Sequence, residues 1–325
     1  MNRTVRIDRT GGPEVMVYAA ATLAPPGPGE VLVRQHAVGL NFLDVYYRSG
    51  QYPHPLPTGL GVEAAGVVEE IGPGVEGLAP GDRVAYAHRV LGAYATARVM
   101  PAAALLRLPD ALPFETAATM MVRGLTAQYL LRQTYPVKPG DVILLHAAAG
   151  GVGLLLSQWA RHLGATVIGT VGSDEKAEVA LAHGCHHVII HGRENVVDRV
   201  RAITGGEGVP VVYDSVGRDT YRTSLDCLRP LGMFVSFGNA SGPLPPIDSR
   251  DLASRGSLFF TRPGIFTHIA DRTRMEVMAA ELFDMVGSGR LAVDIRRRYP
   301  LSEVVRAHRE LEGRKTTGAS ILVPD

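Results

Sequence analysis

The sequence predicts an α/β protein in which a β-rich region is followed by a doubly wound parallel sheet. The first third holds short apolar runs separated by Gly- and Pro-rich turns, whereas the middle third alternates such runs with helix-length segments. With 325 residues, 46% of them hydrophobic, the chain is long enough for two cores. We expect three segments, at residues 1–122, 123–262 and 263–325.

The first segment predicts an all-β, barrel-like unit with few long helices. Its strands are expected at 31–34, 64–71 and 83–86. Turn signals bound these strands, as in Pro80-Gly81-Asp82.

The middle segment predicts strands and helices in alternation. A run from Asp141 to His146 indicates a strand buried on both faces, and a Gly-rich turn follows it. We expect strands at 141–146, 166–171, 187–190, 209–214, 233–237 and 257–261, and helices at 152–163, 174–183 and 196–204. This alternation is typical of a parallel sheet with helices on both faces.

The last segment predicts helices at 275–287 and 303–312 and strands at 295–299 and 319–323. A piece this short cannot bury much core by itself. We therefore expect it to pack back on the first segment.

Charge and cysteine content exclude several classes of function. The formal net charge of +1 provides no field that would attract nucleic acid or an anionic membrane. Two cysteines, Cys185 and Cys227, are too few for a disulfide framework and favour a reducing compartment. The first residues contain no apolar stretch typical of a signal peptide. We expect a cytoplasmic protein with no nucleic-acid or membrane partner.

The strongest chemical signal is the segment HAAAGGVG at 146–153, which lies between a predicted strand and a predicted helix. Backbone N–H groups at a helix start bind pyrophosphate, and glycine allows the phosphates to approach the backbone. Gly150 and Gly153 fill two positions of the dinucleotide pattern, and Ala148 replaces the first glycine. A turn that only packs a helix on a sheet is the alternative. The strand–helix series that follows favours a nucleotide.

The end of the second strand bears on the choice between NAD and NADP. An NAD site usually carries Asp or Glu there. This chain has Gly172 and Ser173, and Lys176 follows one turn into the helix, a combination that suits a 2′-phosphate. Asp174 and Glu175 favour NAD but also suit the first turn of a helix. We expect NADPH.

The sequence lacks the residues that short-chain dehydrogenases and structural zinc sites require. No Tyr is followed by Lys four positions later, as short-chain dehydrogenases require, and no C-x-x-C occurs to hold a structural zinc. Cys185, His186, His187 and His191 could suggest a metal cluster, but residues near a strand alternate between its faces. We expect no metal site there.

The whole chain resembles the medium-chain dehydrogenase/reductase superfamily, and within it the zinc-free, zeta-crystallin-like quinone oxidoreductases, especially bacterial ones. The segments that carry the resemblance are AVGLNFLD at 37–44, GDRV at 81–84, AAAGGVG at 147–153, VYDSVG at 212–217 and SFGN at 236–239. It implies a GroES-like, β-rich catalytic domain and a Rossmann domain. It also implies a homodimer that pairs Rossmann sheets edge to edge.

The resemblance also implies a cleft without zinc. Zinc-dependent relatives have Cys where this chain has Asn41, and the ligand His of their G-H-E-x-x-G segment is replaced by Val62. A further ligand position near Val122 has no Cys either. A catalytic zinc needs three protein ligands, which these positions cannot supply.

By similarity, Asn41, Asp44, Tyr46 and Tyr52 are the candidate catalytic residues. The residues implied to bind NADPH are Asn41, Tyr46, Thr126, Tyr129, Gly150, Gly151, Val152, Gly172, Ser173, Lys176, His191, Ser215, Phe237, Gly238, Asn239, Arg262 and Arg314. His191 stands where relatives often have Tyr. Each role has a structural alternative: Asn41 suits a helix cap, Asp44 a first helical turn, the tyrosines a half-buried position and Arg314 a solvated surface.

These inferences predict an NADPH-dependent reductase that transfers hydride to a quinone without a metal ion. Quinones are already electrophilic, so the enzyme contributes mainly positioning. A reductase of enones or 2-alkenals is the alternative enzyme. A nucleotide-binding, crystallin-like protein without turnover is the alternative of another class.

Overall fold

The computed structural model describes residues 1–313 and 317–325. This part of the chain divides into two compact units. The first unit contains residues 1–123, 270–287 and 293–325, less the three residues not described, and the second contains 124–269 and 288–292. The domain boundaries expected after residues 122 and 262 lie close to these changes of unit and stay predictions.

The strands are numbered in chain order as β1 (Arg3–Ile7), β2 (Val17–Ala20), β3 (Glu30–Gly39), β4 (Thr58–Gly59), β5 (Glu63–Ile71), β6 (Arg83–Ala87), β7 (Ala97–Pro101), β8 (Leu106–Arg107), β9 (Val142–Leu145), β10 (Thr166–Val171), β11 (His187–Ile190), β12 (Val209–Asp214), β13 (Leu228–Ser236), β14 (Phe259–Thr261), β15 (Ile295–Pro300) and β16 (Ala319–Val323). The α-helices are α1 (Phe42–Ser49), α2 (Phe114–Tyr129), α3 (Gly151–His162), α4 (Asp174–Ala182), α5 (Val196–Ile203), α6 (Tyr221–Cys227), α7 (Ser249–Ser254), α8 (Ile265–His268), α9 (Arg272–Gly287) and α10 (Val304–Glu312).

The first unit is built on a mixed sheet in the order β15-β16-β3-β5-β6-β8, with β7 also paired to β3. A smaller sheet has the order β2-β1-β4. Strand β16 pairs antiparallel with β3, so that Leu322 lies opposite Val38. Strand β16 thus joins the sheet of the β-rich region.

The second unit is a parallel sheet in the order β11-β10-β9-β12-β13-β14. On one face Leu144, Ile168, Val212 and Phe234 form a core with α5 and α6. Side chains alternate along each strand, so the residues two positions further on share this face at the carboxyl edge of the sheet. The doubly wound fold expected from the sequence is confirmed.

The structure differs from the predicted elements in several places, among them β3, α2 and β13. Strand β3 extends past its predicted end to Gly39. It includes the buried Gln35, whose side-chain NH₂ group donates to the carbonyls of Ala93 and Ala95. Helix α2 was not predicted, and its residues 117–129 are all buried. Strand β13 begins at Leu228, five residues before its predicted start.

No described helix combines the length and apolar character needed to cross a lipid bilayer. Cys185 and Cys227 are both buried and carry free thiols.

Candidate active site

The first turn of α1 places Asn41 and Asp44 together. The backbone N–H of Asn41 donates to Asp44 Oδ2 at 2.8 Å, and the Asp44 N–H donates to the Asn41 carbonyl at 3.1 Å. Asp44 has no exposed surface, whereas Asn41 keeps 7% of its surface exposed. Asp44 therefore serves the helix start, the structural alternative considered for it.

The side chain of Asn41 is held by Glu63, which sequence reasoning missed. Asn41 Nδ2 donates to Glu63 Oε1 at 2.6 Å, and the backbone N–H of Val122 donates to Glu63 Oε2 at 2.6 Å. Burial raises the pKa of the Glu63 carboxyl, and the Arg123 guanidinium and the Asn41 amide oppose that rise. The available signal was a single carboxylate within the small, apolar segment at 61–66.

A buried hydrogen-bond chain connects Asp44 to α10. Glu312 accepts two bonds from Arg48, whose guanidinium also faces His308 Nδ1 at 3.4 Å. His308 Nε2 lies 3.0 Å from the Tyr94 hydroxyl, which donates to Asp44 Oδ2 at 2.9 Å. Burial, aided by the charge of Arg48, lowers the pKa of His308 to about 3. A neutral ring with its proton on Nε2 satisfies every link of the chain.

The two candidate tyrosines lie next to each other at α1. The Tyr46 and Tyr52 rings are 5.1 Å apart between centroids, and the Tyr52 N–H donates to the Tyr46 carbonyl at 3.0 Å. Tyr46 is buried and Tyr52 half-buried. Tyr47 contacts the Tyr52 ring edge-on and extends this aromatic surface toward His54.

The turn before α3 requires its last glycine. A Cβ at Gly153 would lie 2.5 Å from the Ala147 carbonyl oxygen and 2.6 Å from that of Ala148. Ala148 stands where the dinucleotide pattern has its first glycine. Its methyl group is accommodated because Gly169 on β10 leaves space for it. Gly150 precedes α3, and Gly151 and Val152 begin the helix, so their backbone N–H groups lie at its positive end.

A row of buried polar side chains crosses the carboxyl edge of the parallel sheet. The register places Thr170, His146, Asp214 and Ser236 on neighbouring strands, and His146 Nδ1 lies 2.8 Å from Thr170 Oγ1. Burial lowers the pKa of His146, and the Asp214 carboxylate opposes that shift. Among the described residues, His146 Nε2 and Ser236 Oγ have no hydrogen-bond partner. Doubly wound folds bind their ligands at this edge.

Asp214 organises the loops at that edge. Its carboxylate accepts bonds from the backbone of Val216 and Gly217 and from the hydroxyls of Thr220 and Ser224, at 2.7–3.0 Å.

The adjoining loops bring together several of the predicted cofactor residues. The Phe237 N–H donates to the Asp214 carbonyl at 2.8 Å, and a Cβ at Gly238 would lie 2.5 Å from the Ser215 carbonyl oxygen. Arg262 donates to the Ser236 carbonyl at 2.9 Å. Asn239 follows Gly238 in the same loop and is half-buried.

The ends of β10 and β11 bring the predicted phosphate-binding residues together. Ser173 caps α4 by accepting from the Lys176 N–H at 3.4 Å, and the His191 ring lies beside Gly172. Asp174 forms a bidentate ion pair with Arg193, with both contacts at 2.7 Å. Arg193 was missed by sequence reasoning, and it offsets the carboxylate that favoured NAD.

The remaining candidates lie on α2 or outside the described residues. Thr126 and Tyr129 are buried, and the Tyr129 ring stacks on His268 at 4.2 Å between centroids. Arg314 falls on the three residues that are not described. Within 1–313 and 317–325, no group of three His, Cys, Asp or Glu side chains is arranged to hold a metal ion.

The buried carboxyl of Asp44 predicts a measurable effect of pH on stability. Burial raises the pKa of Asp44 to about 7, although bonds from Asn41 and Tyr94 oppose the rise. Between about pH 4 and 7 the unfolded chain releases this proton while the folded chain keeps it, so the free energy of unfolding falls as pH rises. In wild type, the Asp44 carboxyl should lower the free energy of unfolding by about 1.4 kcal/mol for each pH unit of this range, and Asp44→Asn should abolish that decrease.

Urea unfolding of wild type and Asp44→Asn at pH 5, 6 and 7 measures this difference. Asp110→Asn makes the same change on an exposed side chain and is the control. A difference between wild type and Asp44→Asn that stays constant across this range would contradict the assignment.

One known protein family matches the sequence of each unit. Residues 27–110 match the family described as alcohol dehydrogenase GroES-like domain, and residues 151–271 match the zinc-binding dehydrogenase family. A quinone oxidoreductase of Pseudomonas aeruginosa is 50% identical, with 100% of each chain covered, and a 2-haloacrylate reductase of Burkholderia is 48% identical over 98% of each. The structure of Escherichia coli quinone oxidoreductase complexed with NADPH is similar, with a TM-score of 0.97, 47% identity and 100% of each chain covered. The chain belongs to the quinone oxidoreductase family of the medium-chain dehydrogenases/reductases.

Proposed function

We propose that this protein is an NADPH-dependent quinone oxidoreductase that transfers hydride to a quinone without a metal ion. The observation that carries the proposal is the turn at 147–153, where Gly153 leaves no room for a side chain and α3 presents its first N–H groups. A pyrophosphate fits such a turn. Val62 and Val122 stand at positions where zinc-dependent relatives hold ligands, and a valine side chain cannot bind zinc.

Residues of the second unit would bind the phosphates and the nucleoside of NADPH. Gly150, Gly151 and Val152 would hold the pyrophosphate, and Ser173, Lys176 and His191 the 2′-phosphate. The polar edge formed by the loops of Ser215 and Gly238 would hold the nucleoside. The ion pair between Asp174 and Arg193 reduces the repulsion of a phosphate.

NADPH, when bound, supplies the hydride. Asn41 and Tyr46 would orient the nicotinamide and the acceptor, as the family resemblance implies, and Tyr46 and Tyr52 would pack against the acceptor ring. A tyrosine hydroxyl can donate to the acceptor oxygen as negative charge develops there. Asp44 has no exposed surface, so we assign it a positioning function and not contact with substrate.

An acceptor panel tests the proposed reaction. We expect the purified protein to oxidise NADPH in the presence of quinones, measured by the loss of absorbance of the reduced nicotinamide, and to keep its rate after dialysis against a chelator. The 48% identical 2-haloacrylate reductase favours an activated alkene as the second candidate. Activity on enones, 2-alkenals or haloacrylates with none on quinones would reject the leading proposal. NADPH binding without turnover of any acceptor would indicate the non-catalytic alternative.

Lys176 tests the choice of cofactor. Lys176→Ala should raise the Michaelis constant for NADPH by about tenfold or more, because a hydrogen bond between charged groups contributes about 1.5–3 kcal/mol. The constant for NADH should change by less than about twofold, since NADH lacks the phosphate. Steady-state kinetics with both cofactors measure the effect, and Lys138→Ala is the matched control. Equal changes for NADPH and NADH would show that Lys176 does not bind the phosphate.

The exposed edge of the parallel sheet supports a homodimer. Strand β14 lies at this edge, and its Phe259 and Phe260 are 56% and 36% exposed. Unpaired edge strands pair readily with another chain, and a charged side chain there opposes pairing. We expect light scattering to give twice the chain mass, and Phe259→Lys to give a monomer. Val277→Lys, at another exposed apolar position, is the control, and a monomeric wild type would contradict the proposal.

A cytoplasmic location suits these properties. Cys185 and Cys227 are buried free thiols, as expected in a reducing compartment. The net charge of +1 supports a small-molecule partner over nucleic acid.

A further inference from the structure

We propose that Glu63 is a positioning residue that sets which atom of the Asn41 carboxamide faces NADPH and the acceptor. The proposal rests on the function proposed above, in which Asn41 contacts these groups. It assigns a specific task to a side chain that touches neither of them.

The geometry restricts the Asn41 amide to one orientation. The buried Arg123 guanidinium and the two N–H donors favour the ionised form of Glu63 against the effect of burial. An ionised carboxylate only accepts hydrogen bonds, and each Glu63 oxygen already takes one: Oε1 from Asn41 Nδ2 and Oε2 from the Val122 N–H, both at 2.6 Å. Asn41 must therefore turn its NH₂ group toward Glu63. Its Oδ1 is turned toward the backbone N–H of Asp44 in the capping box of α1, and its second lone pair is left for a ligand.

The residues around Glu63 leave space for its carboxylate and provide an opposite charge. A Cβ at Gly39 would lie 2.1 Å from Glu63 Oε1, so the end of β3 has room only for glycine. The buried Arg123 guanidinium donates to the carbonyls of Leu40 and Thr119 and acts as the opposite charge to Glu63. Four elements thus meet at one carboxylate: β3, β5, the start of α1 and α2.

A neutral amide at position 63 would reverse the orientation. In Glu63→Gln, one oxygen can still accept from the Val122 N–H, but an NH₂ group then faces Asn41. The Asn41 amide must rotate to offer Oδ1, so that its NH₂ group faces the ligand instead. The shape of the side chain is nearly unchanged, while the donor and acceptor of Asn41 are exchanged.

A double-mutant cycle separates positioning from general structural support. Glu63→Gln alone should raise the Michaelis constant for NADPH and lower kcat/KM with a quinone by about tenfold, the usual scale of one hydrogen bond to a charged group. In the Asn41→Ala background the same change should add less than about twofold, because no amide is left to orient. Additive losses would overturn the proposal. Glu115→Gln, which alters an exposed ion pair of the same unit, should leave kcat/KM unchanged.

A readout without cofactor or acceptor keeps the test independent of turnover. In a ¹H–¹⁵N spectrum, the Asn41 side-chain NH₂ pair is identified as the signal that disappears in Asn41→Ala. One of its protons should be shifted downfield by the carboxylate in wild type and should move upfield in Glu63→Gln. An unchanged pair would overturn the proposal. A wild type that oxidises no NADPH with any acceptor would instead reject the proposed function, and the spectra would still report the orientation.

A second variant covers the case in which Glu63→Gln does not fold. Asn41→Asp keeps the shape and one oxygen of Asn41 but cannot donate to Glu63. It should lose about tenfold in kcat/KM, as Glu63→Gln would. Retention of wild-type kinetics in Asn41→Asp would contradict the assigned task.

Discussion

The hydrogen-bonding demand of buried carboxylates determines much of the arrangement of both units. Glu63, Asp44 and Asp214 have no exposed surface, and a charge removed from water is tolerated only where donors surround it. Asp214 meets this demand with four donors from its own loop and α6. Both donors to Glu63 come from distant parts of the sequence, whereas Asp44 accepts from the neighbouring Asn41 and from the distant Tyr94. The distant donors hold together the elements around Asn41.

The three carboxylates differ in how completely they are satisfied. The donors to Asp214 include two backbone N–H groups, which cannot be replaced by mutation. Asp44 has one oxygen, Oδ1, without a hydrogen-bond partner among the described residues, in keeping with its raised pKa. Glu63 lies between these cases, with one donor for each oxygen and the buried cation of Arg123 as counter-charge.

The family of this chain shows how one fold supports different chemistry when side chains change. The resemblance implies that zinc-dependent relatives place ligands at the positions of Asn41 and Val62 and near Val122, where this chain has an amide and two valines. The amide is tied to the Glu63 carboxylate, and the adjacent Val122 contributes only its backbone N–H. The site so formed is suited to orienting ligands by hydrogen bonds and aromatic contact, which is what hydride transfer to an electrophilic acceptor requires.

The sequence by itself determined the doubly wound sheet and the turn at 147–153. These features are encoded locally, by apolar periodicity and by glycines at fixed spacing. Tertiary structure alone decided the roles of Glu63, Tyr94, His308 and Arg193. Their partners lie 19 or more residues away in sequence. Hydrogen-bond partners of a buried polar group are set by which elements pack around it, a choice made only when the chain folds.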